Sequence, residues 1–242
     1  MASRFVAALT VLLIFSFAGC RTPVGEAPAP ITGVDPSDLE LIHELRQLDA
    51  QIKSLDENLG DYPARFESEE EREEVHARWA RALERASILM NIDFDNAELF
   101  ARTGNLYRQG HNLDVPQAAS AAYNSLNRCI ALASGHVECH YNLARLFLAS
   151  SPRFAANAER LLIRVRSLIA PEIRPEFEFA LAKAYLAQGR RSAALRQIDY
   201  YLSFEPRDVD AQRFRNSLVS DAEGEMQRKR SRTLTPSRAA EQ

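Results

Sequence analysis

The chain has 242 residues, 30 of them basic and 33 acidic, for a formal net charge of −3. That near-balance excludes a general nucleic-acid or anionic-membrane binder, which needs a strong basic excess. Three cysteines exclude a disulfide scaffold, and the scarcity of glycine beside recurrent Ala, Leu, Arg and Glu points to an all-α chain.

The first segment has the layout of a secretory signal: Arg4 as a short positive region, an apolar run from Phe5 to Phe17, then Ala18-Gly19 before Cys20. Val6 to Ala18 is too short for a membrane-spanning helix, which takes about 20 residues. Phe17-Ala18-Gly19-Cys20 resembles the lipobox of bacterial lipoproteins, although Phe17 stands where that family more often has Leu. The resemblance implies cleavage after residue 19 and lipidation (palmitate and other acyl chains) of Cys20. It also implies a chain held by a lipid anchor in the cell envelope. Arg21 after the cysteine, where an Asp would favour the inner membrane, implies the outer membrane facing the periplasm. The alternative is an ordinary signal peptide with a chance cysteine.

Residues 20–35 carry Pro23, Pro28, Pro30, Gly25 and Gly33 and read as a flexible tether. Asp35-Pro36 then places an N-cap and a first-turn proline at the start of a helix. Leu41, Leu45, Leu48, Ile52, Leu55 and Leu59 follow at alternating spacings of four and three. Such a stripe is either a coiled-coil dimer seam or one face of an intramolecular hairpin. The hairpin, and with it a monomer, is the better fit because three heptads are marginal for a free coiled coil. Gly60-Asp61-Tyr62-Pro63 breaks the helix, and a second one is expected from about Ser68 to Met90, with Val75, Trp79, Ala82, Ala86 and Leu89 on its apolar face. Residues 36–92 thus read as an N-terminal helical hairpin.

Residues 93–220 repeat themselves. Phe100-x-x-Thr103-Gly104-x-x-Tyr107 recurs as His140-x-x-Leu143-Ala144-x-x-Phe147 and again as Glu178-x-x-Leu181-Ala182-x-x-Tyr185. These blocks resemble the first helix, helix A, of the tetratricopeptide repeat. The third copy continues through Gly189, Ala194, Ile198, Tyr201 and Pro206 as that family's turn and helix B do. The resemblance runs from about Trp79 to Val219, with the second helix of the hairpin serving as a degenerate first helix B. It implies an α-solenoid of antiparallel helix pairs whose surplus residues fall in the A–B turns at 110–116 and 150–154. Asp208 to Ser220 reads as a polar capping helix, and residues 221–242, with Arg228, Lys229, Arg230, Arg232 and Arg238, as a disordered basic tail.

The repeat frame implies which helix-A residues line a binding groove. Glu98, Glu138 and Glu176 share one position, Ala101, Tyr141 and Phe179 a second, Asn105, Arg145 and Lys183 a third, and Arg108, Leu148 and Leu186 a fourth. A groove formed by Asn105, Arg108, Tyr141, Arg145, Phe179, Lys183 and Leu186 would set cations beside aromatic and aliphatic surface. That suits a peptide bearing a carboxylate and apolar anchors. The plain alternative is that the glutamates stabilise helix N-termini and the cations are solvated.

Cys129, His136, Cys139 and His140 are the only cluster of metal-ligand types, but their spacing matches no zinc pattern. No metal or cofactor is expected. A Cys129–Cys139 disulfide fits better outside the cytoplasm, since helix B of one repeat packs on helix A of the next. His43, His76 and His111 have no neighbouring nucleophile, and no hydrolase, phosphate-loop, dinucleotide or zinc-protease motif is present. The expected protein is a non-enzymatic envelope adaptor or assembly factor whose partners are envelope proteins or peptide segments. Resembling lipoproteins include pilotins, barrel-assembly components and hydrolase adaptors. The alternative is a structural lipoprotein that oligomerises through the 41–59 stripe without a peptide ligand.

Overall fold

A computed structural model describes residues 36–220 of the chain, with side chains from residue 40. The signal segment, Cys20, the tether, Asp35 and the basic tail lie outside the described residues. The chain divides between residues 41 and 42 into two units. The first is described only from Pro36, where helix α1 begins (Pro36–Leu59). The second holds the rest of α1, α2 (Glu69–Ile92), α3 (Ala97–Asn112), α4 (Ala118–Leu132) and α5 (Val137–Ser150). These are followed by a short 3-10 turn (Pro152–Phe154), α6 (Ala155–Ile169), α7 (Pro175–Ala187), α8 (Arg191–Phe204) and a final helix, α9, over residues 209–220. No strand occurs among the described residues, and no described helix is long and apolar enough to cross a membrane.

Local chemistry sets the helix ends. Ser68 caps α2 by accepting from the Glu71 amide, and three glutamates fill the first turn, where the helix dipole favours them. Asn96 caps α3 through the amides of Glu98 and Leu99. Gly189 turns the chain from α7 to α8 at φ +73, a left-handed conformation that a side chain would strain.

α1 and α2 form an antiparallel hairpin. Glu44 pairs with Arg85, Ser54 accepts from Arg78 and Asn58 donates to Glu71, so partners run in opposite order along the two helices. Leu48, Ile52, Leu55 and Leu59 are buried together with Val75, Trp79, Ala82, Ala86 and Leu89. Within residues 48–59 the heptad stripe is therefore covered by its own chain, leaving no seam for a second copy there.

The hairpin also joins the repeats side by side. Asp49 pairs with Arg102, the Ile52 carbonyl accepts from Gln109, and the Leu59 carbonyl accepts from Asn112. These contacts advance in the same direction, so α1 lies parallel to α3 as one helix A beside the next. Trp79 of α2 donates its indole N–H to the Leu106 carbonyl at 2.7 Å and packs where Gly110 leaves room. Beyond it α3–α4, α5–α6 and α7–α8 pair, while α3, α5 and α7 touch in a row. Small residues make the close approach possible: a Cβ on Gly104 would meet Leu126 at 2.6 Å, and Ala144 and Ala182 are fully buried. α9 closes the last pair by burying Ala211 and Leu218 against Ile198 and Tyr201. The surplus residues are shared between the α3–α4 and α5–α6 connections and longer helices, α3 continuing to Asn112 where the sequence suggests a turn.

Candidate functional site

The helix-A row presents one continuous face, and on it lies a cleft of about 560 Å³. Tyr141, Arg145 and Leu148 of α5, Phe179 and Lys183 of α7, and Tyr201 of α8 line it. Tyr141 and Phe179 stand one helix apart, as do Arg145 and Lys183. The Tyr141 ring packs on Phe177 at 4.6 Å between centroids, and Arg145 lies over its face. Phe179 contacts Tyr201 and Phe214, with the Lys183 ammonium 4.4 Å from its ring centre.

The opposite wall of the cleft is not another repeat. It is the end of α1 and the α1–α2 connection, which runs across the helix-A face as a strap. The Asp56 carboxylate accepts from Arg108 at 2.8 Å and lies 3.5 Å from Arg145. The Gly60 carbonyl accepts from Arg108 at 3.0 Å and from Arg145 at 2.6 Å. Asp61 receives Lys183 Nζ on both oxygens at 2.9 Å. Tyr62 stacks on His111, 5.8 Å between ring centres, and Arg65 reaches Asp210 of α9 at 2.7 Å. The strap thus touches α3, α5, α7 and α9. Gly60 is required at the bend, since a Cβ there would sit 2.4 Å from the Asp56 carbonyl oxygen.

Electrostatics follow from this pairing. Burial pushes the Asp56 carboxyl up, but the Arg108 and Arg145 guanidiniums outweigh it and hold the group below the ordinary carboxylate value. Asp61 behaves alike: burial raises it, and Lys183, then Arg145 and Arg108, bring it below that value. Arg108, enclosed and close to a second guanidinium, is pulled down to about 10 by burial and by Arg145, with Asp56 opposing. Burial also pulls Arg145 down, but Tyr141, Asp56 and Asp61 more than compensate.

Of the seven expected groove residues, four line the cleft: Tyr141, Arg145, Phe179 and Lys183. The other three require correction. Arg108 is only 1 % exposed and is engaged by Asp56, Leu59 and Gly60, so its charge holds the α1 terminus in place. Asn105 accepts from Arg108 Nε and acts as its positioning partner. Leu186 packs into the core with Ile198 and Leu218. Nor is Arg145 a solvated cation. It is 17 % exposed and already bonded, whereas Lys183 is 31 % exposed and carries a single salt bridge to the outer strap. The shared glutamates are paired at the A-helix starts: Glu98 with Arg102 and His136, and Glu138 and Glu176 with Arg174. The strap residues Asp56, Asp61, Tyr62 and Arg65 are absent from the expected set. Their only sequence signal is the Gly60–Pro63 break, which contains Asp61 and follows Asp56 by four residues.

Cys129 and Cys139 are joined by a disulfide that ties α4 to α5. His136 comes within 4.8 Å of both sulfurs, but those are consumed in the bond and are not free to hold a metal. His140 is buried, with Nε2 2.9 Å from the Ser134 carbonyl, as a core histidine.

The architecture is that of a tetratricopeptide α-solenoid. Among solved structures, the chain is similar to TTC0263, a thermophilic tetratricopeptide protein of Thermus thermophilus. The match has 18% identity and a TM-score of 0.50, covering 74% of this chain and 94% of that one. It is also similar to MamA, at 15% identity and a TM-score of 0.46, over 71% of this chain and 100% of that one. At such identity the likeness shows the fold alone. No protein-family model matches the sequence, and no curated protein matches it significantly.

Proposed function

We propose that the protein is a lipid-anchored, non-enzymatic adaptor of the bacterial envelope that holds an extended segment of a protein partner on its helix-A face. The observation that carries this is the cleft itself. Two aromatic rings and two cations from neighbouring A helices face one space, and carboxylates answer the cations within it. Solenoids of this kind use that face for binding. A partner carboxylate on Lys183 and apolar side chains on Phe179 and Tyr141 would combine charge-assisted hydrogen bonding with aromatic burial. The lipobox-like Phe17–Cys20 segment supports envelope anchoring, facing the periplasm of the outer membrane. The disulfide adds independent support for a compartment outside the cytoplasm.

Lys183 is the residue on which to test the adaptor role, because its one salt bridge is to the exposed Asp61, whereas the more buried Arg145 also holds Asp56 and the Gly60 carbonyl at the α1 terminus. The Lys183→Glu protein is expected to keep its helicity and lose capture of its partner from detergent-solubilised envelopes. Capture equal to wild type would refute the groove as the working surface. Detergent partitioning of wild type and Cys20→Ala tests the anchor separately, with wild type alone expected in the detergent phase.

A further inference from the structure

The strap has two halves of unequal hold. Asp56 to Gly60 is fixed by the enclosed Arg108 and by Asn112, whose amide binds the Leu59 carbonyl. From Asp61 outward the ion pairs and ring contact with the helix-A face and α9 are at the surface, and Arg65 is otherwise tied within the strap, to Asn58, through its amide and its carbonyl. Asp61 is 54 % exposed in its ion pair with Lys183, Arg65 is 62 % exposed in its pair with Asp210, and Tyr62 is 48 % exposed on His111. Exposed pairs of this kind are weak and screened by salt. The outer half can therefore leave the helix-A face while the inner half stays.

What it covers is informative. Asp61 places a carboxylate on Lys183, whose ammonium rests on the Phe179 ring, and an aromatic residue follows directly in sequence. We infer that Asp61–Phe66 is a resident mimic of the partner, occupying the cleft until an acidic segment with a neighbouring aromatic residue displaces it. The inference rests on the adaptor function proposed above and names its ligand class: an extended peptide carrying Asp or Glu next to Tyr or Phe. Local complementarity argues for that occupant: once Asp61 lifts, Lys183 is left as a cation resting on the Phe179 ring without the carboxylate that both of its short contacts reached.

The test uses the full chain and a labelled synthetic peptide of residues 58–66, Asn-Leu-Gly-Asp-Tyr-Pro-Ala-Arg-Phe, read by fluorescence anisotropy at low salt. Wild type should bind it weakly, because only the fraction with its own strap lifted is competent. The Asp61→Asn, Tyr62→Ala protein, its folding checked by circular dichroism, should bind about tenfold tighter. Adding Lys183→Glu should abolish that binding. A peptide with Lys in place of its Asp should restore it on the Lys183→Glu background, which a merely structural effect would not do. Equal binding by wild type and the opened variant, no binding by the opened variant, or failure of the charge swap would each overturn the inference. So would concentration-dependent dimers of the wild type, absent from the opened variant, in sedimentation, which would mean that a second copy's strap is the occupant. Peptide failure alongside Lys183-dependent capture of the envelope partner would sink the mimicry and leave the adaptor function standing.

Discussion

Arg108 shows how a single residue changes meaning between pattern and packing. By repeat position it belongs with Leu148 and Leu186 on a binding surface. In the fold it is almost fully enclosed and has given its charge to Asp56 and its remaining donors to the Asn105 side chain and the Leu59 and Gly60 carbonyls. A buried guanidinium tolerates enclosure only when its donors are matched. Asp56→Ala should therefore destabilise the protein by about 3 kcal/mol, at the low end for breaking a buried pair because the two carbonyls remain. Chemical denaturation measures this directly. Asp56 also sets a pH dependence. Its folded pKa lies below the ordinary carboxylate value, so the unfolded chain takes up the proton first. The stabilisation is complete above about pH 5 and is lost as pH falls through the folded value. Asp56→Asn should flatten the fall in melting temperature below about pH 4, and an unchanged slope would assign the acid sensitivity elsewhere.

At the scale of helices, local pattern was a dependable guide. The stripes of α1 and α2, the Gly104, Ala144 and Ala182 approach points and the Gly189 turn were all legible. Each is dictated by spacing or by a small side chain at a crowded contact. Two things were not legible. The second hairpin helix reads as a degenerate helix B, but that α1 lies parallel to α3 and serves as its helix A does not show in the pattern; that needs the Asp49–Arg102 and Ile52–Gln109 contacts, which span more than fifty residues. The Gly60–Pro63 break, in turn, looks like any other break until its neighbours in space are known. Leu48 tests the hairpin. It is fully buried, so Leu48→Ala should cost about 2–5 kcal/mol while sedimentation continues to show a monomer. A wild-type dimer that dissociates on Leu48→Glu would instead mean that the stripe also joins two chains.

A solenoid is held together by nearest neighbours, so its terminal helices open more readily than its middle. Here the strap adds contacts that skip along the stack, linking the α1 terminus to α7 through Asp61–Lys183 and to α9 through Arg65–Asp210. Both pairs are exposed, and together they contribute at most about 2 kcal/mol. That is too little to alter the global melt much, but enough to change local opening. Charge-neutral Asp61→Asn, Arg65→Gln protein should show amide exchange in α7, α8 and α9 faster by up to about tenfold. The α3–α4 pair, locked by Leu126 against Gly104 and disulfide-linked through α4 to α5, should be unaffected. Raising salt should produce the same selective loss in wild type, since screening acts on exposed pairs and spares the enclosed Arg108–Asp56 bond. Uniform acceleration across all the helices would mean that the strap supports the whole fold and cannot lift to admit a partner. Exchange confined to the last three helices is what a releasable outer strap requires.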